Sequence, residues 1–190
     1  MTINMLYDDR RPEKLDNIMY ELQRQKIYNY LKLWRAVILN NKSVVESINA
    51  GHKRIVQFAK DQGFPEVCIA EDDLMFPSEN GWAYFIKNKP EKFDIYIGGT
   101  YLSDNRIEKT PPLLKVSEYV GNHLIIISNK YYDTFLSVPD NLHIDTAQKG
   151  LGDFYVCYPF PALQKAGRSA NNNNQIVDYN KILDDKDIYK

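Results

Sequence analysis

Glu71-Asp72-Asp73 sets three carboxylates side by side, directly after the apolar run Val67-Cys68-Ile69-Ala70 and just before Leu74-Met75-Phe76. A short apolar run closed by charges reads as a buried strand, so the acids stand where that strand leaves its sheet. Carboxylates at the edge of a core are costly unless something positive compensates them. A divalent cation does so well, because hard cations take oxygen ligands from closely spaced carboxylates. In α/β sheets, ligands bind beyond the carboxyl ends of the strands. The chemistry expected of the triplet is therefore a metal-diphosphate site, with a solvated acidic turn as the plainer alternative.

The elements that must hold such a site can be read from periodicity. Ile3 to Tyr7 is a first strand, and Asp8-Asp9-Arg10-Arg11-Pro12 follows it. Pro12 suits the first turn of a helix, and Leu15, Ile18, Met19 and Leu22 fall on one helical face. Residues 34–38 predict a short second strand. Ser43 caps a helix to about Gln62, which Gly63-Phe64-Pro65 ends. After the acidic strand come a helix around Trp82 to Ile86 and a strand over 93–97 that runs into a Gly98-Gly99 turn. The second half is richer in strands: 114–120 and 124–128 about Gly121-Asn122, then a short helix over 131–136 and a strand over 154–158. Asn171 to Asn174 reads as a polar loop, and the charged tail from Asp178 as a short helix or a frayed end. Alternating strand and helix, then added strands, predict one mixed, mostly parallel sheet flanked by helices.

Length and composition narrow the function classes. The 190 residues suit a single domain with a full core. A net charge of −1 lacks the basic excess usual in nucleic-acid binders, so no nucleic-acid partner is expected. Fourteen Tyr and eight Phe fit a stacking cleft for sugars or bases as well as an ordinary core. No segment has the basic-then-apolar pattern of a signal peptide, and no apolar run approaches the ~18 residues of a membrane span. Cys68 and Cys157 fall in strand-like runs far apart, as reduced core residues of a cytoplasmic protein would.

Several pieces, in order, resemble glycosyltransferase family 25, the lipopolysaccharide and collagen galactosyltransferase type. Asn4 to Lys14 resembles its opening, Arg35-Ala36-Val37 its second strand, and Gly51-His52-Lys53-Arg54-Ile55 its Ser-His helix element with Gly in place of Ser. Glu71-Asp72-Asp73 resembles its Glu-Asp-Asp motif, and Gly121-Asn122-His123 with Ile127-Ser128 a later strand. Ile144-Asp145, Tyr158-Pro159, Gln164 and Ser169 resemble its closing region. The pieces span roughly residues 2–170. Small viral capsid glycosyltransferases look similar as well.

The resemblance implies a GT-A-like nucleotide-diphospho-sugar transferase fold. In that frame 1–190 is a single catalytic domain, with a nucleotide-binding half over about 1–100, an acceptor half over about 101–175, and a tail over 176–190. It implies Mn²⁺ or Mg²⁺, a nucleotide-sugar donor (a UDP-sugar), and a glycan or glycoprotein acceptor. The chain is short for the family, as an abbreviated acceptor half or a domain of a larger multidomain protein would be.

Transfer of a hexose breaks the bond between an anomeric carbon and a diphosphate, and a carboxylate-held metal would neutralise the leaving group. Asp73 is the expected direct ligand, Asp72 the second, and Glu71 a structural ion pair. Arg10 and Arg11 can fork to phosphate or stack on a base, and Lys53 can reach the diphosphate. His143, two residues from Asp145, offers an imidazole to the metal or sugar. His52 and His123 read as packed residues. Asp145 is the candidate general base, weighed evenly against a helix-capping role. Gly98 and Gly99 would let backbone approach a ligand, and Asp94, Gln164 and Ser169 are secondary contacts to sugar or diphosphate. Two other readings stay open: a metal-dependent phosphohydrolase using the same acids, and a non-catalytic nucleotide-sugar-binding module.

Overall fold

The structure, a computed structural model, describes residues 1–101, 110–169 and 175–190; Asn171 to Asn174 lie outside them. Among the described residues, a seven-stranded sheet organises the chain, in the order β2-β1-β3-β7-β5-β8-β6. Its strands are β1 (Ile3–Tyr7), β2 (Leu31–Arg35), β3 (Glu66–Glu71), β5 (Ile95–Ile97), β6 (Leu113–Val116), β7 (Leu124–Ser128) and β8 (Phe154–Cys157). β1 pairs in parallel with β2 and β3, and β5 with β8, while β7 and β6 run against their neighbours. Five strands therefore share one direction. This is the mixed, mostly parallel, helix-flanked sheet expected of a GT-A-like chain.

Both faces of the sheet are covered. Successive side chains of a strand point to opposite faces, and β3 divides that way: Val67 and Ile69 join one core with Ile55, Val56 and Phe135, while Cys68 and Ala70 join the other with Ile18, Leu22 and Phe85. The first core lies under α2 (Val44–Asp61) and α4 (Tyr132–Ser137), the second under α1 (Pro12–Arg24) and α3 (Gly81–Lys87). Cys68 and Cys157 are buried and free, and burial pushes both thiols up to about 12. No helix of the described residues is long and apolar enough to cross a membrane.

Two small ribbons complete the fold and matter for the site: β4 (Leu74–Met75) with β9 (Leu163–Gln164), and β10 (Gly167–Arg168) with β11 (Ile176–Val177). The tail from Asp178 forms two 3-10 turns. It is docked: Tyr158 Oη donates to Asp187 (3.0 Å), and Tyr189 stacks on Tyr84 with ring centroids 4.0 Å apart.

Candidate active site

β1 and β3 run side by side, with Leu6 opposite Glu71. Their carboxyl ends therefore deliver the 8–11 loop and the acidic triplet to one place. There a cavity of about 620 Å³ opens. Its lining includes Arg10, Arg11, Asp72, Asp73, His143, Asp145, Gln164 and Ser169 of the expected residues. Segments 36–39 and 42–49 form another wall, and Tyr101, Asn122 and Tyr179 also line it.

The acids are tightly engaged. Asp72 Oδ2 accepts the backbone N–H of Asp8 (2.8 Å), and Asp72 Oδ1 accepts from Lys14 Nζ (2.6 Å). Asp73 Oδ2 accepts from Lys14 Nζ (3.3 Å) and from Gln164 Nε2 (2.9 Å). Asp73 Oδ1 is buried without a hydrogen-bond partner. β9 pairs Gln164 with Leu74, which is what seats its amide beside Asp73. Burial alone would lower the pKa of Lys14, but Asp73 and Asp72 outweigh it and raise it, so the ammonium stays charged. Burial raises Asp72, and Lys14 opposes that rise.

Glu71 sits one residue deeper. Its carboxyl is held well above the usual carboxylate range, first by burial and then by the charges of Asp73, Asp72 and Asp145. His52 Nε2 stands 3.4 Å from Glu71 Oε1. Its Nδ1 donates to the carbonyl of Ile48 (3.1 Å), one turn back on α2, and burial lowers the imidazole pKa. With Nδ1 carrying a hydrogen, Nε2 can meet a carboxyl oxygen favourably only when a proton lies between them. The structural ion pair expected for Glu71 is thus found as an ionisable pair with His52.

Asp145 both caps a helix and faces the cavity. Its Oδ1 accepts from Thr146 N (2.8 Å), capping a 3-10 turn over Thr146–Gln148, and its Oδ2 accepts from Gly121 N (2.9 Å). Arg10 forks to Asp8 with two bonds of 2.8 Å, and this pairing holds the Asp8 carboxyl below its ordinary range. Arg11 donates to the carbonyl of Arg168 (3.0 Å), tying the β1 loop to β10. His143 is exposed at the rim of the cavity.

Four of the expected residues, Lys53, Gly98, Gly99 and Asp94, lie elsewhere. Lys53 points away from the cavity and is bound to the carbonyl of Val138 and to Asp140. Gly98 and Gly99 run against the chain's own backbone: a Cβ on Gly99 would fall 2.1 Å from the carbonyl oxygen of Ala162, and one on Gly98 would fall 2.9 Å from the Ala162 Cβ. Close packing of 98–99 on residue 162 is reason enough for both glycines. Asp94 binds Asp153 N (2.7 Å) and Lys130 (3.1 Å) at the far end of β5. His123 is buried, with Nε2 donating to the Ala162 carbonyl (3.1 Å).

Lys14, by contrast, enters the site with no expectation attached to it. The signal for it was present: it stands in the first turn of a helix that starts just beyond β1, at the end where the parallel neighbour releases its acids.

A divalent metal does not fit this arrangement as it stands. Among the described residues, no three His, Cys, Asp or Glu side chains come together to hold one. Asp72, Asp73 and His143 are therefore not gathered into the expected ligand set, and the lysine ammonium occupies the space between the two aspartates.

No family model matches the chain, and no curated protein matches it. Among solved structures, the glycosyltransferase involved in glycosylation of the major capsid of PBCV-1 aligns over 73% of this chain and 66% of its own, at 10% identity and a TM-score of 0.40. A Drosophila galactosyltransferase 7 mutant in complex with manganese, UDP-Gal and xylobiose aligns over 70% and 51%, at 14% identity and a TM-score of 0.36. A197 from STIV aligns over 93% of this chain and 93% of its own, at 11% identity and a TM-score of 0.50. The likeness to A197 runs nearly end to end in both chains, and what it shows is a common fold.

Proposed function

We propose that the chain is an inverting glycosyltransferase that moves a hexose from a nucleoside-diphosphate sugar, a UDP-sugar, to a hydroxyl of a glycan or glycoprotein acceptor. The observation that carries this reading is the cavity of about 620 Å³ in which cations of the β1 loop and the carboxylate of Asp145 share one space. That volume suits a small-molecule ligand. In the reaction the acceptor oxygen bonds to the anomeric carbon as the bond from that carbon to the diphosphate breaks. Asp145 takes the acceptor proton, and the nucleoside diphosphate leaves with the bonding pair. Arg10, Arg11 and Lys14 supply positive charge where the leaving group gathers negative charge. The Glu71 carboxyl and its His52 partner line the same cavity.

The test is a thermal-shift panel of UDP, GDP, CMP and their sugars, each with EDTA and with Mn²⁺. A ligand that binds only the folded state raises the melting temperature, by the equivalent of about 2.7 kcal/mol at a hundred times its dissociation constant. UDP and a UDP-sugar are expected to shift the transition, and GDP and CMP to leave it in place. No shift with any nucleotide would overturn the proposal.

A further inference from the structure

We infer that Lys14 is the built-in counter-cation of the Asp72-Asp73 pair, and that the cavity takes its nucleoside diphosphate without a divalent metal. The second clause rests on the function proposed above; the first does not.

The geometry around the pair is that of a filled cation site. One ammonium sits 2.6 Å from Asp72 Oδ1 and 3.3 Å from Asp73 Oδ2. A metal bridging the same two carboxylates would need that place. Two further acceptor sites are turned to nitrogen donors, Asp8 N on Asp72 Oδ2 and Gln164 Nε2 on Asp73 Oδ2, while Asp73 Oδ1 is buried without a partner. A metal bridging Asp72 Oδ1 and Asp73 Oδ2 would have to expel an ammonium tethered to α1. No third ligand of the described residues stands ready to repay that loss.

The lysine side chain is itself largely enclosed, at 20% exposure, as are Asp72 at 11% and Asp73 at 17%. Enclosed charges of opposite sign at hydrogen-bond distance attract each other more strongly than surface pairs do, and removing one partner leaves the others uncompensated. The position also suits a phosphate. An ammonium carries three donors; the two carboxylates take two, which leaves the third for a diphosphate oxygen. Arg10 and Arg11 line the same cavity one turn away.

The experiment titrates Mn²⁺ alone, and then UDP with EDTA or with Mn²⁺, into wild-type chain, Lys14→Met and Lys14→Arg by calorimetry. Lys14→Met keeps the aliphatic stem and its packing. Wild type and Lys14→Arg are expected to show no Mn²⁺ binding without nucleotide, whereas Lys14→Met, with its acid pair uncovered, gains it. UDP is expected to bind wild type equally well in EDTA and in Mn²⁺. Loss of one charge-assisted hydrogen bond should weaken UDP binding to Lys14→Met in EDTA by about tenfold or more, and Mn²⁺ should restore part of the loss. Tight Mn²⁺ binding by the wild type, or UDP binding that requires Mn²⁺, overturns the inference. These wild-type arms decide it even if Lys14→Met fails to fold. Absence of UDP binding under every condition would overturn the transferase reading instead, and the Mn²⁺ titrations would still decide the role of Lys14.

Discussion

Asp145 holds a backbone N–H on each of its oxygens and still borders the cavity. Capping and proton transfer, set against each other as alternatives from sequence, are compatible in the structure: the two N–H groups fix the carboxylate, and each oxygen keeps a second lone pair for an acceptor hydroxyl. Asp145→Asn is expected to retain donor binding and to lose transfer by about 10²–10⁴-fold, the usual contribution of a general base. Steady-state transfer rates alongside donor titration check this, and a variant with near-normal transfer would remove Asp145 from the role. At this scale the sequence was informative where chemistry is local. Three adjacent acids after an apolar run announce themselves, and so does an acid before a helical turn. The place of Lys14 in the first turn of α1 was legible, but its role was not, because that depends on partners 58 and 59 positions away. Lys53 was the lysine expected at the diphosphate, yet its partners on the 138–140 segment draw it away from the cavity.

Among the elements, those with a long period or a clear cap were readable. Ser43 and Glu46 form the capping box that starts α2, with bonds of 3.1 and 2.9 Å, and Pro12 opens α1. β2 was expected over 34–38 and is found at Leu31–Arg35, because its register is set by pairing with β1, from Ile3 with Leu31 to Tyr7 with Arg35. The displaced residues 36–38 line the cavity instead. β4 and β9 left no trace in the sequence, since two-residue strands are too short to show alternation, although they are what brings Gln164 to Asp73. The stretch after β5 was read as a ligand-facing glycine turn and is a packing contact. Gly99→Ala is therefore expected to act on stability: overpacking against the fixed Ala162 carbonyl should cost about 1–3 kcal/mol, or a fall in melting temperature of about 2–12 °C for a chain of this size. Calorimetric melting of the variant measures it, and an unchanged transition would return Gly99 to the list of ligand contacts.

For the molecule as a whole, fold class was the most legible property and the joining of its parts the least. Alternating strand and helix patterns identify the layers, but nothing in them says that β7 lies between β3 and β5. The cavity is likewise a property of the whole chain, bordered by residues from Leu6 to Tyr179. The charged tail, which composition alone leaves unassigned, is held by Asp187 and Tyr189.

The placing of β7 has a consequence for how the protein is made. Until Ser128 has left the ribosome, β3 offers the unpaired edge of Val67 to Ala70, and β5 has no neighbour at all. Such apolar edges template association with other chains. A nascent chain halted at residue 101 is thus expected to remain unfolded or to aggregate, while one extended past β8 acquires protease resistance. Stalled-ribosome proteolysis at the two lengths would show it, and a resistant 101-residue intermediate would mean that the first strands fold without the one that separates them.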